Sequence, residues 1–152
     1  MGQYLNSEHH VSRYIKKRLV MWDEDGRAYG IYPQAFELRE DEESLSVSWL
    51  EYFNRTHEQN IVDSIKEFKG RPFDVHPKSG FGISNVGVLY KICSDSDHPK
   101  VKVLYDGDKN KTKKSSHSSI RYTSNDNDLL QNLATKAFSN LVIAEEISPL
   151  EK

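Results

Sequence analysis

The chain has 152 residues and a mass of 17.6 kDa, a size that suits one domain. Its 21 basic and 23 acidic residues leave a net charge of −2, which excludes a general nucleic-acid binder acting through bulk charge. No apolar run is long enough for a transmembrane helix, the polar start MGQYLNSEHH lacks a signal-peptide core, and the single Cys93 excludes an internal disulfide and a cysteine-based zinc cluster. The expectation is a cytoplasmic single domain over 1–152, with polar tails at 1–9 and 144–152.

In chain order, Asp23-Glu24-Asp25-Gly26 signals a turn. Residues 35–39 alternate apolar and polar and predict a strand; the acidic run 40–43 connects it to a second strand over 45–51, with Leu45, Val47 and Trp49 on one face and Ser46 and Ser48 on the other. Thr56 and Gln59 have capping-box spacing, and Ile61, Val62, Ile65 and Phe68 predict a helix over 57–69 ended by Gly70. Residues 81–93 read as one long strand, with Gly82 and Gly87 marking a bulge or a close backbone approach. The loop 95–99 predicts a hairpin into a strand at 101–105. A lysine-bearing loop (Lys109, Lys111, Lys113, Lys114) precedes a short edge strand at 120–122. Leu129, Leu130, Leu133, Ala134, Ala137, Phe138, Leu141 and Val142 form the stripe of a second helix over 126–142. The sum is an α+β fold: an antiparallel sheet of four to six strands with two helices on one face.

The histidines are scattered. His9 and His10 are adjacent, and His57, His76, His98 and His117 lie far apart, with no helical i, i+4 pair and no short metal-ligand spacing, so no metal is expected. His10 and His117 each neighbour hydroxyls and an arginine. Two imidazoles can serve as a metal-free general base and acid, and Arg13 and Arg39 as clamps for an anion. The plain alternative is that these residues tie loops to the sheet through side-chain-to-backbone bonds. Cys93, in an apolar stretch without a base, reads as an inert buried thiol. No phosphate loop or nucleophile elbow is present, and no cofactor is implied.

Five strings recur together: His10-Val-Ser-Arg-Tyr14, Phe36-x-Leu-Arg39-x-x-Glu42, Leu45-Ser-Val-x-Trp-Leu-Glu51, Asn85-Val-Gly87 and Ser116-His117-x-x-Ile120. In this order they resemble a family of small uncharacterised bacterial proteins, over roughly residues 9 to 142. The resemblance implies a bacterial, cytoplasmic origin and groups His10, Ser12, Arg13, Arg39, Glu51 and His117; it implies no activity. The family pattern tends to carry Pro before the late histidine, where this chain has Ser116.

The leading expectation is a protein-binding or accessory module of a multi-protein system, of the defence or mobile-element kind, with Arg13, Tyr14, Arg39, Trp49 and Glu51 as binding positions. Its basis is the eight tyrosines, whose amphipathic rings favour interfaces, and the contrast between an acidic 37–43 segment and the lysine loop. The runner-up is a His-based, metal-independent hydrolase or transferase on a phosphate-containing nucleotide or RNA, with His10 and His117 as the acid/base pair. A nucleic-acid contact through the lysine loop is the third reading.

Overall fold

The computed structural model describes residues 3–70, 75–107 and 115–147. Strands β1 (Gln3–Tyr4), β2 (His10–Ile15), β3 (Val20–Trp22), β4 (Ala28–Ile31) and β5 (Ser44–Trp49) precede helix α1 (His57–Lys69). After it come β6 (Gly80–Asn85), helix α2 (Val86–Asp95), β7 (Lys102–Tyr105), β8 (His117–Arg121), helix α3 (Asn127–Asn132) and β9 (Asn140–Ile143). Seven strands form one sheet in the order β1-β7-β8-β5-β2-β6-β9, each neighbouring pair antiparallel, and β3 and β4 form a separate hairpin. The α+β expectation therefore holds, with more strands and helices than expected.

Strand register divides the sheet into two faces. Val11 and Ile15 of β2, Leu45 and Val47 of β5 and Ile120 of β8 point to the larger core, where α2 contributes Val86, Leu89 and Cys93 and α3 contributes Leu129 and Leu130. The opposite face carries Ser12, Tyr14, Ser48 and, on β6, Phe81 and Ile83; there α1 packs Ile61 and Ile65. The helices thus cover both faces, not one as expected. A seven-stranded sheet with apolar residues on each face needs a layer on each side.

Several local expectations change. Residues 35–39 are not a strand: Pro33 fixes the first position of a 3-10 turn, Pro33–Phe36, which buries Ala35 and Phe36. The second strand ends at Trp49, and Leu50–Phe53 is a 3-10 turn. The long strand over 81–93 is half strand and half helix. Asn85 Oδ1 accepts from the Val88 amide at 2.9 Å and caps α2, so Val86, Leu89 and Cys93 are buried at helical spacing. The loop 95–99 consequently joins a helix to a strand and is no hairpin. The stripe over 126–142 is helical only in part. α3 passes into a π turn, Leu133–Ala137, and Asn140–Ile143 then pairs with β6 as an edge strand. The strand expected at 120–122 begins at His117 and lies inside the sheet, between β5 and β7.

The polar tails are also shorter than expected: β1 pairs with β7, Leu5 is buried, and Ala144 and Ile147 are buried at the other end. The lysine loop 109–114 lies outside the described residues. The helix over 57–69 stands as expected. Thr56 Oγ1 accepts from Gln59 N at 3.2 Å, whereas the Gln59 side chain accepts from the Arg55 guanidinium. The Asp23–Gly26 turn also stands: Gly26 has φ +77°, and Asp23 Oδ1 accepts from the amides of Asp25 and Arg27. No helix among the described residues is long and apolar enough to cross a membrane.

Candidate functional site

β2 and β5 pair only at Val11–Trp49 and Ser12–Ser48. Beyond that step each strand keeps its outer neighbour, β6 or β8, while the two part from one another. Backbone groups on the inner sides of such a fork need partners. Arg13 supplies one: its Nη1 donates to the Ser46 carbonyl at 2.8 Å, and its Nε donates to the Ala35 carbonyl at 2.9 Å. The guanidinium also lies 5.8 Å over the Phe36 ring. Burial lowers its pKa to about 10, opposed by the Glu42 carboxylate and aided by the Arg39 charge, so it remains a cation at neutral pH.

The fork opens into a cleft of about 730 Å³. This volume falls within the range of small-molecule sites. Ser12, Ser46 and Ser48 offer hydroxyls along its strands, and Tyr14, Phe68 and Phe81 line another part of it. The Tyr14 and Phe68 rings are 4.7 Å apart and the Phe68 and Phe81 rings 5.5 Å, so the aromatic wall is braced by its own packing. Four cations line the cleft, Arg13, Lys16, Arg18 and Arg39, against two carboxylates, Glu37 and Glu42. Glu42 is engaged on the Arg39 amide, donor to acceptor 2.9 Å. Among the described residues no imidazole and no thiol lines it. Such a lining can hold an anion and a flat or apolar group together.

The site residues expected from sequence fall in four places. Arg13, Tyr14 and Arg39 meet in the cleft, together with Ser12. His10 and Glu51 lie against each other: the His10 amide donates to Glu51 Oε1 and His10 Nδ1 donates to Oε2, both at 2.7 Å, with the His57 ring 4.5 Å from that of His10. His117 faces Asp106, its Nδ1 3.7 Å from Oδ2, and Asp106 also accepts from Arg121 at 2.9 Å. His10 and His117 share a sheet face, but β5 runs between their strands, and strand spacing and rise put their Cα atoms roughly 12 Å apart. Each imidazole lies beside its own acid, Glu51 for His10 and Asp106 for His117. Trp49 lies outside the cleft; its indole donates to His9 Nδ1 at 3.1 Å and its rings pack near Tyr105.

Sequence reasoning missed Lys16, Arg18, Glu37 and Tyr32 as cleft residues. The first two carry a legible signal, a basic run directly after the Arg13 strand. The last two reach the cleft only because the Pro33–Phe36 turn folds back on β2, which alternation had concealed. Comparison with family models, with curated proteins and with solved structures finds no match for the chain.

Proposed function

We propose that this protein is a binding module whose cleft takes a small phosphate-bearing molecule of nucleotide size. The observation that carries the reading is the half-buried Arg13 guanidinium at the fork of β2 and β5, with Lys16, Arg18 and Arg39 lining the same cavity. Two of the guanidinium's five N–H donors go to backbone carbonyls. A phosphate group accepts from guanidinium and ammonium donors together, with charge-assisted bonds roughly twice as strong as neutral ones. The aromatic wall of Tyr14, Phe68 and Phe81 gives a nucleobase an apolar surface, and the strand serines offer hydrogen bonds to a sugar.

Binding is favoured over the His10–His117 hydrolase because the cleft holds neither imidazole. A protein partner has weaker support: the exposed tyrosines Tyr4, Tyr29, Tyr32 and Tyr122 sit on separate segments of the fold. The test is calorimetric titration of the full chain with ADP, AMP and pyrophosphate, repeated on Arg39→Ala. ADP is expected to bind most tightly, because it uses both the cations and the rings, and Arg39→Ala to weaken it at least tenfold. If none of the three probes binds, or if Arg39→Ala leaves ADP affinity unchanged, the reading fails.

A further inference from the structure

A second cluster, distinct from the cleft lining, involves chemistry that sequence spacing did not reveal. His10 is the first residue of β2, Glu51 sits in the 3-10 turn that follows β5, and His57 is the first residue of α1. The register Val11–Trp49 brings the turn after β5 alongside the start of β2, and the left-handed residue Asn54 (φ 56°) turns the chain back so that α1 begins there. One ligand atom from each of the three residues lies within 4.8 Å of the other two.

We propose that His10, Glu51 and His57 form a binding site for a first-row divalent transition metal, Zn²⁺ by donor type. Two imidazole nitrogens and one carboxylate oxygen are a donor set that suits zinc and its neighbours, and three protein ligands leave a position for water. Glu51 is already oriented. The His10 amide holds Oε1 at 2.7 Å, which turns Oε2 toward the His10 ring; outer hydrogen bonds of this kind fix a metal-ligating carboxylate. A metal would displace the proton that His10 Nδ1 now directs at Oε2.

An ordinary His–Glu hydrogen bond explains two of these residues. It does not explain the third. His57 is exposed, yet its ring stands 4.5 Å from that of His10 and makes no side-chain hydrogen bond among the described residues. With neutral imidazoles the group carries the single negative charge of Glu51, which a divalent cation converts to a net positive one. The side chains of His10 and Glu51 are 29 % and 24 % exposed, so an ion has a route in from solvent.

The test is titration of the metal-free full chain with Zn²⁺ by calorimetry, and with Co²⁺ by visible absorption, which reports inner-sphere nitrogen ligation. The wild type is expected to bind one ion per chain. His57→Ala, at an exposed position, is expected to fold normally by circular dichroism and to bind at least tenfold more weakly, and Glu51→Gln likewise; His76→Ala is expected to match the wild type. Zinc is further expected to raise the melting temperature of the wild type more than that of His57→Ala at the same zinc concentration. Absence of saturable one-to-one binding overturns the site. So does undiminished affinity in His57→Ala, or a loss in His76→Ala equal to that in His57→Ala. None of these outcomes bears on ADP binding in the cleft, so the two proposals fail separately.

Discussion

Arg13 Nη1 donates to the Ser46 carbonyl at 2.8 Å on the step where β2 and β5 cease to pair. The side chain spans the parting of two strands that a ladder bond would otherwise close. With Nε held on Ala35, the guanidinium joins the fork to the Pro33–Phe36 turn, and the same charge faces the cleft.

Replacing Arg13 therefore has two consequences. Arg13→Met keeps much of the apolar stem but leaves the Ser46 and Ala35 carbonyls without this donor, at a cost of about 1–3 kcal/mol. For a chain of this length, thermal unfolding should shift down by about 3–4 °C per kcal/mol. Arg13→Lys should rescue little of this, because one ammonium on a flexible stem does not reproduce a planar fork aimed at two carbonyls. If Arg13→Lys melts with the wild type, the guanidinium is not bracing the fork.

Gly87 opens α2 against the N-terminal segment. Its N–H donates to the Ser7 carbonyl at 2.9 Å, and a Cβ at this position would stand 2.9 Å from that same oxygen. In an open helix Gly→Ala stabilises by up to about 1 kcal/mol. Here the contact is with backbone, so the sign should reverse, and Gly87→Ala is expected to cost about 1–3 kcal/mol as the segment before β2 is displaced. Gly70, by contrast, ends α1 at φ −78°, where an added Cβ would meet nothing closer than a carbonyl oxygen at 3.4 Å. Gly70→Ala should be neutral or gain a few tenths of a kcal/mol. Urea unfolding of the two variants side by side checks the pair, and equal effects would refute the close-approach argument.

These residues also show how much of the molecule was legible in its sequence. The α1 boundaries followed from Thr56 and from apolar spacing, and the two faces of β5 from strict alternation; both are local patterns that tertiary packing left alone. Gly87 was readable as a close approach, but not as part of a helix. Val86, Leu89 and Cys93 do recur at helical spacing, yet β-branched and aromatic neighbours masked it, and the deciding feature was the Asn85 cap. The end of the α3 region was misread for the opposite reason: apolar spacing ran on past Ala137 while the chain had already turned to supply the edge strand beside β6. Of the candidate site, Arg13 and Arg39 were legible as anion clamps because their chemistry is local to the side chain. Their meeting in one cleft, and that of His10 with His57, depend on a strand fork and a turn that no spacing encodes.

Cys93 lies on α2 with no exposed surface, and burial pushes its pKa from 9.0 up to about 12. An acid whose folded pKa is raised keeps its proton in the native state while the unfolded chain gives its proton up. Between about pH 9 and 12 the native state therefore binds more protons, and this group's contribution to stability falls as pH rises, by at most about 1.4 kcal/mol per pH unit. Below about pH 9 both states hold the proton and the contribution is flat. Lysines and tyrosines titrate over the same range, so the informative quantity is the difference between wild type and Cys93→Ala. Urea midpoints measured at about pH 8, 9 and 10 are expected to show the wild type losing stability faster than the variant above about pH 9. In the folded wild type at about pH 8 the thiol should also resist alkylation until denaturant exposes it. Parallel pH profiles for the two proteins, or rapid alkylation of the native chain, would mean that Cys93 is not held in the core between α2 and the sheet.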